Sequence, residues 1–229
     1  MTSSTSNRID NLKEITETLR ASFDSRTTAR DHALEQSRML TRLSAHTIRA
    51  IHREEFEAAR ENLAEMRQVV VTLKEFLSDF PSLYFAGYTQ DAIKEYVEAH
   101  LTLALVLGEP FPSPAELHAE DAAYTKGMAE AATELRRRAL DILRKGYSDQ
   151  AELLLQQMDE IYTELVTFDY PDAVTYGLRR QTDIVRSVLE RTRGDITMSM
   201  RQNQLATAME DLMAKLDITE QDENSGERR

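Results

Sequence analysis

The chain has 229 residues, with no cysteine, no tryptophan, seven glycines and five prolines, and its 40 acidic against 28 basic side chains give a formal charge of −12. That length holds a sizeable buried core, and 41% hydrophobic content is too apolar for a disordered chain. So few Gly and Pro leave too little turn chemistry for a sheet fold, and the lack of Cys excludes disulfides, thiolate zinc sites, iron–sulfur clusters and cysteine nucleophiles.

The expected fold is therefore all-α. The first 80 residues contain neither Gly nor Pro. Ile9, Leu12, Ile15 and Leu19, then Leu40, Leu43, Ile48 and Ile51, recur at helical spacing. They predict one very long helix, or two, from Ser3 to about Arg53, with the Asp24–Thr28 segment as the weak point. A second helix is expected from Glu54 to Asp79, with Phe56, Leu63, Met66, Val70, Leu73 and Leu77 on its apolar face and Pro81 as its stop. Tyr84, Phe85 and Tyr88 cluster beside Gly87 as a packing hinge before a third helix, Thr89 to Gly108.

The proline-rich break EPFPSPAE follows, from Glu109 to Glu116. A fourth helix then runs from Glu116 or Ala122 to Lys145 and closes at Gly146, a residue suited to the left-handed terminator. A fifth covers Ser148 to Phe168, and Pro171 opens a sixth that reaches Thr192. Gly194 is read as an interruption before a last stretch, Gln204 to Leu216. Residues 219–229 are polar and read as a disordered tail, which leaves 1–218 as one helical domain.

The N-terminal MTSSTSNRID has neither the basic nor the apolar region of a secretory signal. The longest apolar stretch, Tyr96 to Leu107, contains Glu98 and His100 and is too short to span a bilayer. A soluble, cytoplasmic protein without membrane contact is expected. Its acid surplus argues against nucleic acid, but only six of the 28 basic groups are lysine. Acid excess with arginine replacing lysine fits a saline cytoplasm, and on that reading net charge says little about partners.

Carboxylates three or four residues apart share a helix face, as Glu95 and Glu98 do, and Glu130 and Glu134. Chance alone supplies about 7 acidic pairs at any one spacing in such a composition. Glu98 stands out by context, because it enters a nearly continuous apolar run where an uncompensated carboxylate is costly to bury. The plainer reading makes Glu95 and Glu98 the last polar turn of an amphipathic helix. Four carboxylates from two facing helices would form an all-oxygen site that favours Mg²⁺ or Mn²⁺ over zinc. A di-iron bundle needs Glu-x-x-His pairs, and these candidates have none.

Arginines form the second pattern. Arg38, Arg42, Arg49 and Arg53, with His46 between, trace one helix stripe, and Arg179, Arg186 and Arg193 follow at heptad spacing. Such stripes suit a phosphate backbone, or else a solvated face paired with acids such as Glu35, Glu54 and Glu190. The five histidines show no metal-ligand spacing, and there is neither a Gly-rich phosphate loop nor a G-x-S-x-G turn.

KEYVEAHLTLALVLGE, from Lys94 to Glu109, resembles a hallmark of the translin superfamily, above all its Trax (translin-associated factor X) branch, where an E-Y-V-E-A core recurs. The segment Ala123 to Gln150 resembles the next helix of that family: a Tyr, a Gly three residues later, an acidic position, Glu-Leu-x-Arg and a closing Gly turn. Tyr176 to Ile196 resembles its terminal basic helix, and the likeness covers about Asn7 to Met200.

The resemblance implies a compact all-α protein of about seven helices that assembles into a closed homo-oligomer, commonly an octameric shell. It further implies RNA or single-stranded DNA as partner. Arg38, Arg42, Arg49, Arg179, Arg180, Arg186 and Arg193 are the arginines expected to meet it. In the Trax branch RNA is cleaved with Mg²⁺, or Mn²⁺, held by acidic residues. By matched motif the catalytic positions are Glu95, Glu98, Glu130 and Glu134, with Glu95, Glu98 and Glu130 on the metal. One departure is Glu130, where the Trax branch usually carries aspartate; the extra methylene displaces the ligating oxygens by more than about 1 Å, enough to cost about 100-fold in rate. The alternative is a translin-like binding shell without turnover, and a scaffold that binds no nucleic acid is a third reading.

Overall fold

Without a helix breaker before Pro81, the first segment forms a single rod. In the computed structural model, which describes residues 6–226 and the side chains of 11–216, α1 runs unbroken from Ser6 to His52. The expected weak point at Asp24–Thr28 does not interrupt it. Thr27 and Thr28 instead donate their hydroxyls to the carbonyls of Phe23 and Asp24 one turn back, at 2.8 and 3.0 Å. The other helices are α2 (Phe56–Phe76), α3 (Pro81–Tyr84), α4 (Gly87–Leu107), α5 (Asp121–Leu143), α6 (Asp149–Val166), α7 (Asp172–Thr175) and α8 (Leu178–Gly226). The described residues contain no strand, and none of their helices is long and apolar enough to cross a membrane.

The helices group into two compact units, Met1–Met128 and Ala129–Arg229, divided within α5. In the first, α1 packs along α2 and α4. Its buried stripe is Ala29, Ala33, Ser37, Leu40, Ser44, Thr47 and Ile51, spaced by three or four, and mostly small residues that admit close neighbours. The turn from α1 to α2 has no glycine, and Glu54 itself takes the left-handed conformation, φ 64°. α4 is the central helix: Ala92, Ile93, Tyr96, Val97, Ala99 and Leu101–Leu105 are all buried. Gly108, φ 66°, caps its end as a left-handed residue.

In the second unit α6 lies against α8, and Leu154, Met158, Ile161 and Leu165 of α6 are buried, as are Val185, Leu189 and Ile196 of α8. The hydroxyl of Ser148 caps α6 by accepting from the Gln150 N–H at 3.2 Å. Pro171 opens only the single turn α7. Tyr176 and Gly177 then take positive φ (49° and 91°), and the Asp172 carboxylate accepts the Gly177 N–H at 2.8 Å. Gly194 does not interrupt α8, since one interior glycine costs only about 1 kcal/mol against alanine. The expected tail at 219–229 falls at the end of α8, whose bounds reach Gly226; the side chains beyond 216 and residues 227–229 lie outside the described residues.

Candidate functional site

Glu95 and Glu98 stand one turn apart on α4, both half-buried, between the fully buried Tyr96, Val97 and Ala99. The turn that carries them is clamped from α5. A Cβ placed on Gly127 would lie 2.8 Å from the Lys94 carbonyl oxygen and 2.8 Å from Val97 Cβ and Cγ1. Only a residue without a side chain lets the two backbones meet there.

In the second unit, Glu130 and Glu134 also sit one turn apart, both half-buried on α5. Oε1 of Glu130 accepts a hydrogen bond from Gln181 Nε2 at 2.9 Å. Next along α5, Arg136 donates to Asp195 Oδ2 at 2.8 Å and to Thr192 Oγ1 at 3.1 Å. Among the described residues no group of three or more His, Asp or Glu side chains converges as a metal cage. The donor chemistry nevertheless suits Mg²⁺, which commonly binds through one or two carboxylates with waters and substrate phosphates filling its shell. Each glutamate pair supplies that number of hard oxygens.

The arginines divide by environment. Arg38, Arg42 and Arg49 are exposed along α1, and none has an ion-pair partner among the described residues. Arg179 and Arg180 line a cleft of about 670 Å³ together with Asp169, Asp172 and Asp183. Arg186 is exposed. Arg193 is neutralised twice, by Asp159 at 2.9 Å and Glu190 at 2.7 Å. The heptad stripe is thus not uniform, and at its last member the paired-face reading holds.

A feature that sequence reasoning passed over lies between α2 and α4. His100 stacks edge-on against Tyr96, ring centroids 4.7 Å apart. Its Nε2 is buried with no hydrogen-bond partner among the described residues. Burial, reinforced by the Arg67 guanidinium, holds its pKa down at about 4, so the ring is neutral at pH 7. Burial raises Tyr96, and Arg67 partly offsets that. The only signal in the sequence was a histidine inside an apolar run.

No family model matches the chain. The uncharacterised protein MJ0175 of Methanocaldococcus jannaschii is 33% identical over 169 residues, 73% of this chain and 74% of that protein. Among solved structures, AfC3PO in complex with duplex RNA superposes with a TM-score of 0.72 at 31% identity, over 85% of this chain and 97% of that one. AfC3PO alone gives 0.72 at 31%, over 85% and 98%. Apo-NeC3PO gives 0.68 at 25%, over 83% and 96%.

Proposed function

We propose that this chain, which belongs to the translin superfamily, binds RNA and acts as a Trax-like, Mg²⁺-dependent endoribonuclease on single-stranded or short RNA. The observation that carries the reading is the match to AfC3PO, solved with duplex RNA, over nearly the whole length of that chain. The glutamate pairs give it chemistry. Glu95 and Glu98 would offer carboxylate oxygens from a turn held rigid by Gly127, and by the family motif Glu130 would add a further one. Glu134 positions water or a neighbouring ligand. When bound, Mg²⁺ lowers the pKa of its water and stabilises charge on the phosphodiester being cleaved. Exposed arginines of α1 hold the phosphate backbone without reading sequence.

The working form is a homo-oligomer, closed into an octamer-like shell, in the cytoplasm. Two stripes support self-association: Leu12, Ile15, Leu19 and Phe23 on α1, and Leu205, Met209, Leu212 and Leu216 on α8, all exposed. Apolar rows spaced by three and four are the usual seam between helices.

A binding shell without turnover is the second reading. It is favoured by the hydrogen bond that Glu130 Oε1 accepts from Gln181 Nε2. Labelled single-stranded RNA separates the two. Cleavage in Mg²⁺, lost in EDTA and in Glu98→Gln with oligomer and RNA binding intact, supports the nuclease. A band shift with no cleavage in Mg²⁺ or Mn²⁺ leaves the shell.

A further inference from the structure

Within the first unit, a cavity of about 430 Å³ opens between α2, α4 and the segment after α4. Its walls include Arg67 and Gln68 of α2, His100 and Leu103 of α4, and Pro110 and Pro112. His100 follows Glu98 by two residues, about 200° around the helix, so the cavity lies on a different face of α4 from the carboxylates.

Three observations ask for a ligand there. The half-buried Arg67 has no ion-pair partner among the described residues, although guanidinium groups drawn out of water are ordinarily paired. His100 Nε2, buried at the same cavity, lacks a hydrogen-bond partner among the described residues, and buried polar atoms are rarely left so. At the rim Arg60 and Glu109 pair with each other at 2.5 Å. Their charges cancel, and Arg67 is left without an opposite charge among the lining residues, the Glu116 carboxylate acting on it only from outside the lining.

An anion is therefore the complement, and the rest of the lining says what kind. Leu63, Leu103, Pro110 and Pro112 give an apolar wall beside the polar end. The volume lies in the range of small-molecule sites and exceeds what a bare phosphate fills. Gln68 adds a donor and an acceptor able to meet the edge of a planar ring. We infer that this cavity binds the terminal phosphomonoester of a nucleotide, with the phosphate on Arg67 and His100 and the base against the proline wall. The nucleotide is either free or the 5′ end of an RNA strand; the strand-end source rests on the RNA-binding reading above.

The test uses the full chain in its native oligomer and calorimetric titration with AMP, adenosine and inorganic phosphate. AMP should bind at least about tenfold more tightly than either fragment, and Arg67→Gln should remove at least about tenfold, the scale of one charge-assisted contact. Arg67→Lys should recover part of that loss, which separates lost charge from a disturbed fold. Single-stranded RNA with a 5′-phosphate or a 5′-hydroxyl distinguishes the sources. A preference for the phosphorylated strand that Arg67→Gln abolishes assigns the strand end; equal binding of both strands beside tight AMP binding assigns the free nucleotide. AMP binding with no RNA binding at all defeats the RNA reading and leaves the cavity assignment standing. Equal affinity for AMP and adenosine, equal affinity for AMP and phosphate, or an Arg67→Gln chain that binds AMP like the parent overturns the inference.

Discussion

Gly127→Ala and Gly194→Ala make the same chemical change in two helices and should act in opposite directions. Each replacement gains about 1 kcal/mol of helix propensity. At Gly194 a Cβ meets nothing within 4 Å, and φ there is not positive, so the gain stands alone. At Gly127 the Cβ meets a backbone carbonyl oxygen and two carbons of Val97, all at 2.8 Å. None of those atoms is the far end of a flexible side chain, so α4 and α5 must separate locally. Overpacking of this kind costs about 1–3 kcal/mol, and the rigid partners place it at the upper end. The net expectation is a loss of about 1–2 kcal/mol for Gly127→Ala and a gain of about 1 kcal/mol for Gly194→Ala. For a chain of this size each kcal/mol moves the melting temperature by about 2–4 °C, within reach of a circular dichroism melt. On the proposed nuclease reading RNA cleavage should also fall in Gly127→Ala, because Gly127 presses on the turn bearing Glu95 and Glu98. A Gly127→Ala chain that melts at or above the parent temperature would refute the argument that close approach fixes that turn.

His100 should impose a pH dependence on stability. Its native pKa, about 4, lies below the ordinary 6.5, so the unfolded chain binds the extra proton between those values. Stability from this group is full above about pH 6.5 and drains as pH falls through 4, by about 3 kcal/mol in all; urea melts of the parent and His100→Gln at about pH 7 and pH 4.5 should show the smaller drop in the variant. Arg179→Ala with Arg186→Ala should weaken binding of all RNA sequences alike and reduce the salt slope by about 1.4, whereas Arg193→Ala, already paired with two carboxylates, should leave the slope unchanged. Light scattering should give a mass several times 26.2 kDa, and a monomer would remove the shell from the reading.

How far the sequence could be read depended on the range of the interaction that decides each feature. The long helices were legible because apolar periodicity and the lack of breakers act locally, and α2, α4 and α6 begin and end within a few residues of expectation. The break after α7 was not legible. It rests on Tyr176 taking a left-handed conformation that its side chain gives no reason to predict, and on a carboxylate five residues before Gly177. Gly194 does not break α8 as its residue type suggests, because a single glycine weighs less than the helix around it. The glutamate pairs were visible as spacing and acquired meaning from a resemblance. The nucleotide cavity could not be seen, because Arg67 and His100 meet only when α2 packs on α4.

The same distinction bears on how a chain with net charge −12 could hold RNA as proposed. Net charge governs the field at distances beyond about 10 Å, where salt screens it, while phosphates are held at contact by individual guanidiniums. What matters is then which arginines have already spent their charge on a carboxylate. Arg193 has, and RNA would have to displace Asp159 and Glu190 to reach it. Arg38, Arg42 and Arg49 have not, and they stand exposed on a face of α1 opposite the stripe that packs on α2 and α4. An exposed, unpaired guanidinium gives up only water when phosphate arrives, so on the proposed RNA-binding reading the α1 row should be the stronger anchor.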